Sequence, residues 1–154
     1  MAKRRDLVRM TDEEVDALLH ERQSMSVGTI GPDGSIHLVA MWYGFIDGAP
    51  AFETYAKSQK VLNLRRDPRI TVLVETGDQY DVLRGVELVG KGEILEDEES
   101  VMTVARSVVE RYFPIENETD LDAVAAGLAN KRVAVKVNVE RTVSWDHSKL
   151  GGGY

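Results

Sequence analysis

Tight-turn chemistry recurs between short apolar runs of this chain, and it excludes most architectures. Gly31-Pro32-Asp33-Gly34 separates Ser26-Val27-Gly28-Thr29-Ile30 from a run at 36–43, and Asp47-Gly48 separates that run from one at 51–56. Proline presets one backbone torsion, and Asp-Gly supplies the positive φ that a hairpin needs. Ile70-Thr71-Val72-Leu73-Val74-Glu75 alternates and is β-branched, as a half-buried strand requires. A long run at 82–95 sets Val86, Leu88 and Ile94 among charged residues, and a last one at 132–145 alternates Val133, Val135, Val137 and Val139. These patterns predict strands at about 24–30, 36–43, 51–56, 69–76, 82–95 and 132–145, the fifth bent at Gly90 or Gly92. Strands joined largely by hairpins are antiparallel. Six of them in 154 residues remove their exposed edges by closing into a barrel. The expected fold class is mainly β with flanking helices, a single domain over 1–154.

Helical segments lie between these runs. Thr11-Asp12-Glu13-Glu14 is a capping-box pattern, which predicts a helix over 12–23. Ser58 opens a short helix over 58–66, stopped by Asp67-Pro68 because a residue before proline avoids the α region. Asp97-Glu98-Glu99 starts a helix to about 113, and another covers 120–130. The end, Ser148-Lys149-Leu150-Gly151-Gly152-Gly153-Tyr154, reads as flexible by composition.

The net charge of −7 argues against nucleic acid and anionic membranes as partners, since both demand a basic surface. No run approaches the ~20 apolar residues of a membrane span, and Met1-Ala2-Lys3-Arg4-Arg5-Asp6 leads into no apolar segment. A cytoplasmic protein is expected. Cysteine is absent and the three histidines, at 20, 37 and 147, are dispersed, so no metal site is expected. There is no Gly-x-Ser-x-Gly nucleophile pattern either.

The stretch from Val39 to Arg69 carries the chemistry. Two strands are followed by a helix that opens on Ser58 between Lys57 and Lys60. The first N–H groups of a helix are unpaired, and its dipole favours an anion there. With the hydroxyls of Thr54 and Ser58 nearby, this combination suits the phosphate of a small cofactor. Plainer roles are available to each residue. Ser58 fits an ordinary N-cap, Lys57 and Lys60 fit solvated lysines, and His37 fits a structural strand residue. Trp42 and Tyr43 alternate on one strand, so one of them belongs to the core.

Four local patterns, in order, resemble the pyridoxamine-phosphate-oxidase-like flavin and deazaflavin reductases. They are Gly31-Pro32-Asp33-Gly34 leading to His37 and Trp42-Tyr43; Thr54-x-x-x-Ser58-x-Lys60-x-x-Asn63-Leu64 closed by Asp67-Pro68-Arg69; Val89-Gly90-Lys91-Gly92-Glu93; and the ending Val143-Ser144-Trp145. The resemblance implies a split β-barrel of the FMN-binding type. It departs from the family at Ala40 and Ile36, where proline is frequent, and at Gln59-Lys60, where flavin binders often carry two adjacent basic residues. The length, the acidic two-helix insert and the tail are more similar to the branch that uses the deazaflavin F420, so F420 is the expected cofactor and FMN the alternative.

The resemblance also implies residue roles. Val39, Ala40 and Met41 would face the cofactor ring. Thr54, Lys57, Ser58 and Lys60 would hold its phosphate, and Asn63 would support the helix start or a polar group of the cofactor. The site would be shared in a homodimer, with Trp145 covering the ring from the partner chain and Lys149 meeting the cofactor's acidic tail. Trp42, Tyr43 and His147 are the candidate contacts to a small-molecule substrate. No residue is assigned to acid, base or nucleophilic catalysis, because the cofactor supplies the hydride chemistry. Three functions follow in order: an F420-dependent reductase of a conjugated small molecule, an FMN-dependent oxidoreductase, and a non-enzymatic carrier of a cofactor or haem.

Overall fold

The run at 36–43 does not continue as one strand, and its interruption decides the architecture. In a computed structural model, which describes residues 1–152, a short helix α1 (Arg4–Leu7) and α2 (Asp12–His20) precede β1 (Met25–Ile30) and β2 (Ile36–Met41). The chain then leaves the sheet at Trp42 and Tyr43 and re-enters as β3 (Gly44–Ile46), followed by β4 (Ala49–Tyr55), α3 (Gln59–Arg66), β5 (Arg69–Thr76) and β6 (Arg84–Leu95). Next come α4 (Glu98–Tyr112), α5 (Glu118–Ala129) and β7 (Arg132–Asp146). The order β2-β1-β5-β6-β7-β4-β3 is antiparallel throughout. Seven strands therefore replace the expected six, and the curled sheet is a split barrel with β2 and β3 on its two edges.

Side chains from α4 cause the break. The backbone carbonyl of Tyr43 accepts from Arg111 Nε at 2.9 Å, and the Tyr43 hydroxyl donates to the Leu19 carbonyl. Phe45 N donates to Ser107 Oγ at 2.9 Å. A Cβ at position 44 would stand 2.4 Å from that same oxygen, so only glycine lets α4 approach β3 this closely. The backbone that would extend β2 thus bonds to a helix instead of a strand.

Alternation along the strands divides the packing into layers. Met25, Val27, Ile70, Val72, Val74, Val86, Leu88, Phe52, Val135 and Val137 fill the barrel, joined by Leu18 and Leu19 from α2 and Leu64 from α3. The opposite face of β4 and β7 turns Ala51 and Ala134 to Val101 and Val104 of α4. Ala105 and Val109 of α4 then meet Leu121 and Ala125 of α5. The capping box at Thr11 and Glu14 forms as its pattern requires, but α2 ends at His20, three residues short of the expected end. A bulge lies between Val89 and Gly90 of β6.

Candidate functional site

Two strand ends, a helix start and the first residue of β7 meet at one rim of the barrel. There Ala40, Met41 and Trp42 at the end of β2 face Glu53, Thr54 and Tyr55 of β4. Lys60 of α3, Leu128 of α5 and Arg132 of β7 complete a cleft of roughly 430 Å³, a size that takes a small ligand.

Its polar wall is a short relay. Lys60 Nζ donates to Thr54 Oγ1 at 2.9 Å, and Thr54 Oγ1 donates to Ser58 Oγ at 3.3 Å. Ser58 is the N-cap of α3, yet its side chain makes no cap hydrogen bond. Capping alone therefore does not account for this serine, and its own proton remains free to donate. Burial lowers the Lys60 amine from its usual range, with the nearby Glu53 charge opposing that shift. A desolvated ammonium and an uncapped helix start are a fitting donor set for a phosphate.

The other wall is apolar. The Trp42 ring stacks on Tyr112 at 4.9 Å between centroids and meets Phe113 edge-on at 5.8 Å. The same helix end that breaks the strand thus holds the indole in place. Trp42 remains half-exposed and available to a ligand.

The structure gathers Ala40, Met41, Trp42, Thr54, Ser58 and Lys60 and places the other candidates elsewhere. Val39 turns inward against the barrel core. Tyr43 is fully buried, so of the aromatic pair it is the core member, and its expected substrate contact is corrected. Lys57 is exposed in the turn before α3. Asn63 is also fully buried. Its Nδ2 donates to Thr29 Oγ1 at 3.0 Å, while its Oδ1 accepts from Gln59 at 2.8 Å and Arg66 at 3.3 Å. Those bonds make it a brace between α3 and β1, which is the structural half of its expected role.

Trp145, His147 and Lys149 lie at the opposite end of β7 from Arg132, on the order of 40 Å along the strand. Trp145 covers Gly85, where a Cβ would stand 2.2 Å from the indole, and its Nε1 donates to Glu75 at 3.2 Å. His147 Nδ1 lies 2.7 Å from the Tyr80 carbonyl, and the two rings are in contact. Lys149 Nζ donates to Glu14 at 2.6 Å and to the Arg9 carbonyl at 2.9 Å, and holds the Glu14 carboxyl below its usual range. The expected flexible end is corrected over these residues. His147–Leu150 is a 3-10 turn fastened to the N-terminal segment, while residues 153–154 of that expectation lie outside the described residues. Within one chain the cleft and these three residues do not meet.

Sequence reasoning missed Glu53, Tyr55, Leu128 and Arg132. A lone carboxylate in the run Phe52-Glu53-Thr54 was a legible signal. Arg132 was not, because only the register Tyr55↔Arg132 between β4 and β7 carries it to the rim. Its guanidinium lies over the Tyr55 ring at 4.4 Å.

Comparison with known proteins agrees with this architecture. The family described as pyridoxamine 5'-phosphate oxidase matches residues 11–146. A conserved hypothetical protein of Mycobacterium tuberculosis, Rv2991, is 44% identical with a TM-score of 0.92, covering 99% of this chain and 95% of its own. An F420 reductase is 23% identical with a TM-score of 0.62, over 82% and 94% of the two chains. The haem storage protein HutZ from Vibrio cholerae is 12% identical with a TM-score of 0.68, over 88% and 96%. No curated protein matches the chain significantly.

Proposed function

Since the chain belongs to the pyridoxamine 5'-phosphate oxidase family, we propose that it is an F420-dependent reductase of a conjugated small molecule. The observation that carries this reading is the relay from Lys60 through Thr54 to an uncapped Ser58, opening on the cleft. These residues would hold the phosphate of the cofactor. Met41, Trp42 and Tyr55 would flank its ring and keep water from one side. When bound, a deazaflavin supplies a hydride at one ring carbon, so the chain itself needs only to bind, orient and exclude solvent.

Charge favours F420 over FMN. Gln59 precedes Lys60, so one cation and not an adjacent pair meets the helix start. A phosphodiester such as that of F420 carries one negative charge, whereas the phosphomonoester of FMN carries nearly two.

The same reading includes a two-fold homodimer that shares the site. Ile36, Leu38 and Ala40 alternate outward on the edge strand β2, with Ile36 65% and Leu38 67% exposed. An apolar edge of this kind is an association surface. A partner would also bring a second copy of Trp145 and Lys149 within reach of the cleft that its own chain cannot supply.

Titration with F420, FMN and haem, followed by fluorescence and absorbance, tests the reading. Saturable F420 binding, then oxidation of reduced F420 by an acceptor from an enone, imine and quinone panel, is the expected result. Preferential FMN binding would replace it with the flavin alternative. A haem Soret band without F420 binding would replace it with a carrier.

A further inference from the structure

The anion cleft has a buried carboxylate in its wall. Glu53 is 9% exposed, and its Oε2 lies 3.8 Å from Arg132 Nε, an ion pair longer than a hydrogen bond. The charged groups facing it are Arg132 from β7 and Lys60 from α3. Lys136, the next charge on that face of β7, is drawn to Asp47 at 3.6 Å. The end of β2 and α5 bring only the uncharged Ala40, Met41, Trp42 and Leu128 to the cleft. From α4, Val101 and Val104 pack beside Ala51 on the same strand.

Both cations have neutral partners that do not involve Glu53. Lys60 donates to Thr54. Arg132 NH1 donates to the Leu128 carbonyl at 2.6 Å, and its guanidinium rests on Tyr55. Their positions therefore do not depend on the carboxylate. What Glu53 contributes is a negative charge, placed where an incoming anion would need the same two cations. Two anions in one partly desolvated cleft repel, and a proton on Glu53 relieves the repulsion.

We propose that an anion binds this cleft on Lys60 and Arg132 together with one proton taken up by Glu53. Arg132 is then a second anion ligand, and Glu53 sets the pH range over which the site loads. The identity of the anion as a cofactor phosphate rests on the reading above; the charge arrangement does not. Burial pushes the Glu53 carboxyl up to about 7, with Arg132 and then Lys60 opposing the shift. The proton is therefore available near neutrality. Affinity is full below that value and falls as the pH rises through it, by roughly tenfold between pH 6 and pH 8 if proton and anion bind strictly together.

The test measures Kd for F420, FMN and inorganic pyrophosphate at pH 6 and pH 8, with the full chain and with Glu53→Gln. The ionisations of each ligand are common to both proteins and cancel in the ratio of their affinities. The expected result is near-equal binding at pH 6 and binding about tenfold tighter by Glu53→Gln at pH 8. Arg132→Gln should weaken binding at both pH values. A ratio that does not change with pH overturns the proposal. If pyrophosphate alone shows the pH-dependent ratio, the cofactor reading fails and the proton-linked site stands. If F420 or FMN binds with a constant ratio, the cofactor reading stands and this proposal falls; if nothing binds, both fall. Should Glu53→Gln misfold, calorimetry of the wild-type chain in buffers of different ionisation enthalpy counts the proton directly. Uptake near one at pH 8, after correction for the free ligand, supports the proposal, and zero overturns it.

Discussion

Arg111 Nε donates to the carbonyl of Tyr43 over 2.9 Å, so the last turn of α4 holds open the break between β2 and β3. The same guanidinium reaches the carbonyls of Leu19 at 3.2 Å, Glu21 at 3.1 Å and His20 at 3.3 Å. It also lies 4.6 Å from the Tyr43 ring centroid. One planar fork thus joins the end of α2, the strand break and α4.

Removing that fork should be costly. Arg111→Ala removes one bond to the Tyr43 carbonyl and three to the end of α2, and should lower stability by about 2–4 kcal/mol. Arg111→Lys should recover less than half of it, because an ammonium cannot span the set. Urea unfolding of the two variants checks both figures. A loss within 0.5 kcal/mol, about the size of a surface substitution, would contradict the role.

Asn63 and Thr29 should behave as a coupled pair. Asn63→Ala strands the Thr29 hydroxyl in the core and should cost about 1–3 kcal/mol. Thr29→Val in the same background removes the stranded hydroxyl. A double-mutant cycle should therefore give an interaction of about 0.5–3 kcal/mol, whereas additivity would mean that the two side chains act independently.

The two lysines flanking Ser58 should separate in binding. Lys60→Ala removes a desolvated charge from the cleft and should weaken F420 binding by roughly 10- to 100-fold, as expected for about 1.5–3 kcal/mol. Lys57→Ala, on an exposed side chain, should weaken it only a few-fold. Neither should change ligand-free stability by more than about 1 kcal/mol. Equal losses in the two variants would put the phosphate outside the Lys60–Thr54–Ser58 relay.

Glu53 predicts a pH-dependent stability as well. Its carboxyl titrates near 7 in the folded chain and near 4.3 when unfolded, so the folded state binds the proton more tightly. Its contribution is fully present below the unfolded value and is lost as the pH rises to about 7. Glu53→Gln should match the wild type at pH 4 and exceed it above pH 7, by up to about 4 kcal/mol. Denaturant midpoints at the two pH values decide this, and a variant less stable at pH 8 would refute it.

Trp145→Ala should affect both fold and binding. Loss of the half-buried indole over Gly85, with its bond to Glu75, should cost about 2–3 kcal/mol. If a partner's indole completes the cleft, F420 affinity should fall in the same variant under conditions where it is still folded. Truncation from Asp146 onward is a harsher change. It also removes the bond from Asp146 N to the Val8 carbonyl at 2.7 Å and the Lys149–Glu14 pair, and should loosen the N-terminal segment as measured by proteolysis.

Local rules made much of this chain readable without its structure. Thr11 and Glu14 mark the start of α2 because a capping box is complete within four residues. The Pro-Asp-Gly turn and the valine alternation of β7 likewise depend only on neighbours along the chain. The Lys57–Lys60 segment was legible for the same reason, since a helix start with adjacent charge and hydroxyl lies in one stretch of sequence. Three things required the tertiary structure: the break at Trp42-Tyr43, the choice of Tyr43 as the core member of that pair, and the arrival of Arg132 beside Glu53. The first two depend on Arg111, Ser107 and Tyr112, more than 60 residues further along. The third depends on the register of β7 against β4. Local propensity acts through torsions and nearest neighbours, whereas burial and electrostatics depend on which distant groups share the same space.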